Sequence, residues 1–237
     1  MLAPTMGVAA IHTVGLTKDY GGGRGLFDLD LQVTTGETFG LLGSEGAGKS
    51  TAIRLLMGMI NPSRGHAYVF GLDSLREAVE VKRRVGYVPD ETPDFGAMRG
   101  GEIAAYMAGL RGGVHKDRVR ELAERLDLDL GPRHMDYAPA DRQKLSIVLA
   151  FMHDPQLLIL DDPAQDLDER SAGELDSMIE EAREESRTIL LGLRYAADVR
   201  THCDVVGNLR HGKLSRVMRV EDLTLELEEP RPHALPP

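Results

Sequence analysis

The residues that could do chemistry gather in Gly43-Ser44-Glu45-Gly46-Ala47-Gly48-Lys49-Ser50-Thr51, directly after an apolar run. Their spacing is G-x-x-x-x-G-K-[ST], the phosphate-binding P-loop. Gly46 and Gly48 carry no Cβ that would hold the backbone amides away from an anion. In such a loop Lys49 reaches the β- and γ-phosphates, and the Ser50 hydroxyl ligates Mg²⁺. A metal held this way also needs a carboxylate, and Asp161 supplies one at the end of the buried run Leu157-Leu158-Ile159-Leu160. Together these residues predict a site for a nucleoside triphosphate with Mg²⁺.

That chemistry requires a strand, a loop and a helix in that order, so that unpaired amides and the helix dipole meet the phosphates. Thr38–Leu42 reads as the strand and Ala52–Ile60 as the helix, running through Gly58. Upstream, Ile11–Thr17 and Leu26–Val33 alternate as two strands across a Gly21–Gly25 turn. Asn61–Gly65 stops the helix; His66–Phe70 and Arg84–Val88 follow as strands, with a helix over Ser74–Arg84 between them. Helices are then expected at Glu102–Leu110, Lys116–Leu126 and Asp141–His153. The run Gln156–Leu160 has the unbroken apolarity of a strand buried on both faces. An acidic helix over Ser171–Glu184 and strands at Thr188–Leu191 and Val205–Leu209 complete an α/β frame with a helical insertion at about 93–154. Residues 1–223 read as one domain, and the proline-ended stretch 224–237 as a disordered tail.

A formal charge of −10 argues against nucleic acid as a partner, because phosphate-backbone binding needs clustered Lys and Arg. The single cysteine, Cys203, excludes an internal disulfide and a cysteine-based zinc site, and it fits a reducing compartment. No run of apolar residues is long enough to span a membrane, and Met1–Ala10 lacks the basic flank of a signal peptide. The expectation is a soluble, intracellular chain that can still dock on a membrane partner.

Two stretches carry a family resemblance: Phe39–Thr51 through the P-loop, and His153-Asp154-Pro155-Gln156 leading through Asp161-Asp162-Pro163. Both resemble the ATP-binding subunits of ABC transporters, in the style of the bacterial drug- and antibiotic-efflux branch, and the likeness spans about residues 8–220. The resemblance implies a RecA-type P-loop NTPase core with an antiparallel β subdomain and a helical subdomain. It implies ATP and Mg²⁺ as cofactors, a head-to-tail dimer with a second ABC ATP-binding subunit, and a transmembrane permease subunit at the cytoplasmic face of the membrane. Tyr20 falls where the family stacks an aromatic on adenine, and Asp204 and Gly212 fall where the family places them.

Elsewhere the chain departs from the family pattern. Asp90 stands at the position of the family's glutamine, where its oxygen could still meet the metal. Asp162 stands for the catalytic glutamate and is one methylene shorter, a misplacement that can cost about a hundredfold in rate. Arg194 stands for the switch histidine; it would either pair with Asp162 or contact the γ-phosphate. The signature segment reads Tyr137-Ala138-Pro139-Ala140-Asp141, which lacks the hydroxyl and amides that grip a partner's phosphate but suits a helix start. The loop after the metal aspartate reads Gln165-Asp166-Leu167-Asp168. Even in the P-loop, Glu45 adds a negative charge where asparagine is usual. A homodimer would have neither a proper base nor a proper signature at either site, which favours an intact partner. The expectation is an ATP-binding subunit with weak or absent hydrolysis; an ordinary ATPase and a regulatory or assembly subunit stay open.

Overall fold

A computed structural model describes residues 9–222 of the chain. The expected tail at 224–237 lies outside these residues. The chain enters on β1 (Ala9–Asp19), which pairs antiparallel with β2 (Gly25–Leu29) through its second half and with β3 (Gln32–Thr34) through its first. Strand β4 (Thr38–Leu42) runs through the P-loop into helix α1 (Lys49–Leu56). Strands β5 (Arg64–Val69) and β6 (Leu72–Asp73) then return to the antiparallel sheet, whose order is β2-β1-β5-β6 with β3 also on β1.

Helix α2 (Ala78–Arg84) and strand β7 (Val85–Val88) lead to three helices, α3 (Gly100–Leu110), α4 (Lys116–Arg125) and α5 (Pro139–Phe151). The chain comes back through β8 (Leu157–Asp161), α6 (Glu169–Glu184), β9 (Thr188–Leu193) and α7 (Ala196–His202). It closes with the hairpin β10 (Val205–Arg210) and β11 (Lys213–Arg219). The second sheet has the order β11-β10-β4-β9-β8-β7 and is parallel except for that hairpin.

Strand β8 shows why its sequence does not alternate. Leu157 and Ile159 enter the core that holds Phe39, Ile53 and Leu56, beneath the antiparallel sheet. Leu158 and Leu160 enter the opposite core with Ile103, Leu145 and Ile179 from the helical layers. Each such buried side chain contributes about 1.5–3 kcal/mol relative to an exposed one. Asp161 is therefore a charge placed at the end of a strand clamped on both faces.

Four sequence expectations shift. The P-loop helix begins at Lys49 rather than Ala52 and ends at Leu56 rather than Ile60. Gly58 is the stop: it adopts φ 58°, its N–H donates to the Leu55 carbonyl, and the Met59 N–H donates to the Arg54 carbonyl. A Cβ at Gly58 would lie 2.0 Å from the Ser74 carbonyl oxygen, so only glycine fits. The strand expected over Leu26–Val33 is two strands, with Asp28 at φ 51° and Leu31 pinned to Thr13 Oγ1 in the break between them. The helix expected from Ser74 starts at Ala78, because the Asp73 carboxylate caps the amides of Leu75 and Arg76 in a turn. Helix α5 starts two residues earlier than Asp141, with Pro139 in its first turn.

Candidate functional site

The P-loop, the ends of β8 and β9, the β1–β2 turn and the β10–β11 turn converge on one cleft of about 380 Å³. Tyr20, the loop residues Glu45 to Thr51, Asp90, Asp161, Asp162 and Arg194 all line it. Gly48 caps α1 with φ 109°, a conformation that leaves the helix amides open toward the cleft. Lys49 is buried, and its Nζ donates to the Gly43 carbonyl at 2.6 Å and the Ser44 carbonyl at 3.2 Å. Burial pulls its pKa down, with Asp161 opposing.

Asp161 is 1% exposed, and its Oδ2 has no hydrogen-bond partner. Burial pushes its carboxyl up, while a hydrogen bond from Ser50 pulls the other way. The neighbouring strand makes room for it: a Cβ on Gly192 would stand 2.6 Å from Asp161 Oδ1. A buried carboxylate oxygen left open beside a serine hydroxyl fits a hard cation such as Mg²⁺. Among the described residues no group of three or more His, Cys, Asp or Glu side chains could hold a metal by themselves. Phosphate oxygens and water would complete the shell, as Mg²⁺ prefers.

Tyr20 stands at the far end of the cleft, half exposed, with the Lys18 ammonium 5.4 Å from its ring centroid. A ring in that place can stack on a flat base.

Arg194 forms the opposite wall. Its Nε pairs with Asp162 Oδ2, its Nη2 reaches Asp90 Oδ1 at 3.3 Å and Gln165 Oε1 at 3.1 Å, and its Nη1 lies 3.8 Å from Glu45 Oε2. The pairing with Asp162 is one of the two arrangements that the sequence left open. Burial pushes the Asp162 carboxyl up, and Arg194 pulls against that without overcoming it. Burial pulls the Arg194 guanidinium down, but Asp162, Asp90 and Glu45 outweigh it and hold it above its ordinary value. Asp162 itself sits at φ 48° with its N–H donating to the Gly192 carbonyl at 3.0 Å. Asp90 thus lies in the cleft, yet its carboxylate faces a guanidinium.

The profile of the ABC transporter family matches residues 26–165. The chain is 33% identical over 217 residues to the bacitracin transport ATP-binding protein BcrA of Enterococcus faecalis, covering 90% of this chain and 70% of that protein. It belongs to the ABC transporter ATP-binding family. It is also 33% identical over 215 residues to the daunorubicin/doxorubicin resistance ATP-binding protein DrrA of Streptomyces peucetius, covering 89% of this chain and 65% of that one. An ATP-binding subunit of an ABC transporter superposes with a TM-score of 0.81 at 24% identity, over 90% of this chain and 91% of that structure. A dimeric ATP-binding cassette in a post-hydrolysis state with ADP and phosphate superposes at 0.79 and 17% identity, over 89% and 98%. The chain is accordingly an ATP-binding subunit whose family binds ATP, usually with Mg²⁺, dimerises and pairs with transmembrane permeases. Among its described residues no helix is long and apolar enough to cross a membrane.

In this ABC subunit the segment Tyr137–Asp141 forms the start of α5. Ala138 is its N-cap, with no side-chain hydrogen bond, and Asp141 occupies the first turn. Tyr137 is buried and anchors the turn by donating its hydroxyl to the Asp129 carbonyl at 2.6 Å. Asp168 caps α6 by accepting from the Ser171 N–H at 2.8 Å, and its carboxyl is held down at about 2 by the Ser171 amide and hydroxyl, with Lys144 3.3 Å away. Sequence reading missed Gly192, Arg24 and His211, which all belong to the cleft or its walls. The glycine in the apolar run Leu191-Gly192-Leu193 was a usable signal, since glycine inside a strand marks a close approach.

Proposed function

We propose that this ABC subunit binds Mg·ATP and couples nucleotide state to a permease, with weak or absent hydrolysis of its own. The observation that carries the reading is the Arg194–Asp162 ion pair. A carboxylate that orients or deprotonates water must keep a lone pair free and stand in line with the γ-phosphate. Asp162 is short by a methylene, and one of its two carboxylate oxygens already holds a guanidinium. Arg194 in turn is held by Asp90, Gln165 and Glu45, so the cation that could meet the γ-phosphate has three other acceptors. The P-loop, Ser50 and Asp161 keep the groups that bind nucleotide and metal, and Asp90 is a further oxygen for the metal once Arg194 releases it.

At the start of α5, Ala138 offers no hydroxyl, Pro139 no N–H, and Asp141 a negative charge. A second, intact ATP-binding subunit is therefore the favoured partner. BcrA and DrrA are named for bacitracin transport and for daunorubicin/doxorubicin resistance, which supports an efflux-type assembly at the cytoplasmic face of the membrane. The permease would seat near Thr92–Ala108, beside an apolar groove of about 660 Å³ that includes Met59, Val79, Phe95 and Leu110.

The test is steady-state ATPase of the purified chain beside an ATP-binding measurement. Tight binding with little turnover is expected, and turnover should rise at least about tenfold in Asp162→Glu/Arg194→His with the signature serine and glycines restored. Robust wild-type turnover that disappears in Lys49→Ala would sink the reading.

A further inference from the structure

The turn between β10 and β11 is two residues long, His211 at φ 48° and Gly212 at φ 74°, with Arg210 facing Lys213 across it. Positive φ at both positions is the type I′ hairpin turn, which favours Asn, Asp or Gly at the first position. Gly212 is explained by packing. Its N–H donates to the Ala47 carbonyl at 2.9 Å, its carbonyl accepts from the Phe27 N–H at 2.7 Å, and a Cβ there would lie 2.2 Å from the Gly25 oxygen. The turn is thereby bolted to the middle of the P-loop. His211 is not explained in that way. It is exposed, its imidazole has no hydrogen bond or ion pair among the described residues, and it sits in the left-handed region, which few side chains besides Asn, Asp and His adopt.

Its position suggests the reason. His211 lines the nucleotide cleft with Tyr20 and Arg24. Tyr20 marks the base end, and Lys49, Ser50 and Asp161 mark the phosphate end. Its neighbour Gly212 packs on Ala47 and Gly48 of the P-loop, which places His211 at the lip of the cleft beside that loop. We propose that His211 is a nucleotide-binding residue that hydrogen-bonds the ribose hydroxyls of the bound nucleotide, a role that rests on the ATP-binding reading. An imidazole offers one donor and one acceptor, which matches a pair of adjacent hydroxyls. The turn keeps the ring in the cleft before ligand arrives, so less ordering is needed on binding.

His211→Gly tests this, because it places a residue that the turn prefers, removes the imidazole's donor and acceptor, and should leave the melting temperature unchanged or raised. Mg·ATP and Mg·tripolyphosphate are the two probes, titrated against the full chain. The expected result is ATP affinity lowered about fivefold, the loss of one hydrogen bond, with tripolyphosphate affinity unchanged. Unchanged ATP affinity would overturn the proposal. So would parallel weakening of both probes, which would mean that the turn acts only by bracing the P-loop. A wild-type chain that binds neither probe would overturn the nucleotide reading beneath it as well.

Discussion

The floor of the cleft and the wall that Arg194 builds treat their charges differently. On the floor, Asp161 is buried with one oxygen unpartnered, and Lys49 is parked on backbone carbonyls of its own loop. On the wall, Asp162, Asp90, Gln165 and Glu45 all face one guanidinium and are answered by it. A buried polar atom without a partner costs free energy until a ligand arrives, whereas a satisfied cluster gains little from one. The proposed reading, a chain that holds a nucleotide more than it acts on one, rests on that contrast.

The sharpest way to break the contrast is Lys49→Ala. It removes a charge-assisted contact to phosphate, and ATP affinity should fall about a hundredfold by isothermal titration. Retained affinity would mean that the floor is not the binding surface. Next is Asp161→Asn, expected to weaken Mg·ATP about tenfold while sparing metal-free ATP. It also carries a pH signature. Burial raises the Asp161 and Asp162 carboxyls, so the stability tied to their neutral forms is present at low pH and is lost as pH climbs through the folded-state values. Asp161→Asn should flatten that decline in a melting-temperature profile from acid to neutral; an identical slope would count against Asp161 as its source.

Arg194→Ala probes the wall. ATP affinity should stay within about threefold of wild type, since the floor does the holding. The ligand-free protein should melt roughly 2–8 °C lower at neutral pH, because Asp162 and Asp90 lose their shared cation. A large loss of ATP affinity would move Arg194 to the binding side of the comparison. The smallest effect is expected for Asp168→Ala, outside both regions. Losing the α6 N-cap should lower the melting temperature by about 2–4 °C with no change in ATP affinity. Its carboxyl is held near 2, so the contribution persists at ordinary pH and disappears only in strong acid.

Much of the site was legible because its signals are local. A P-loop is contiguous, and β8 announces itself as an unbroken apolar run ending in a carboxylate. The α/β order followed from the same runs. Boundaries failed where a capping contact rather than a side-chain pattern decides them. Gly58 ends α1 against a carbonyl of residue 74, and Asp73 holds back α2 by capping two amides. Strand β11 and helix α7 have half-exposed, mixed sequences with no clean period, and both were missed.

The sequence by itself determined which groups are present: a phosphate loop, an aspartate closing an unbroken apolar strand, a second aspartate beside it, and an arginine after the next apolar run. The pairing of Arg194 with Asp162 is visible only in the tertiary structure. Residues 45, 90, 162, 165 and 194 sit on four separate segments, 162 and 165 sharing the loop after β8, and only the parallel sheet brings their charged and polar ends within ion-pair and hydrogen-bonding reach. The same holds for Gly192 beneath Asp161 and for His211 at the lip of the cleft. Short-range patterns fix chemistry and local conformation, but electrostatic partnership depends on distances that chain order does not contain.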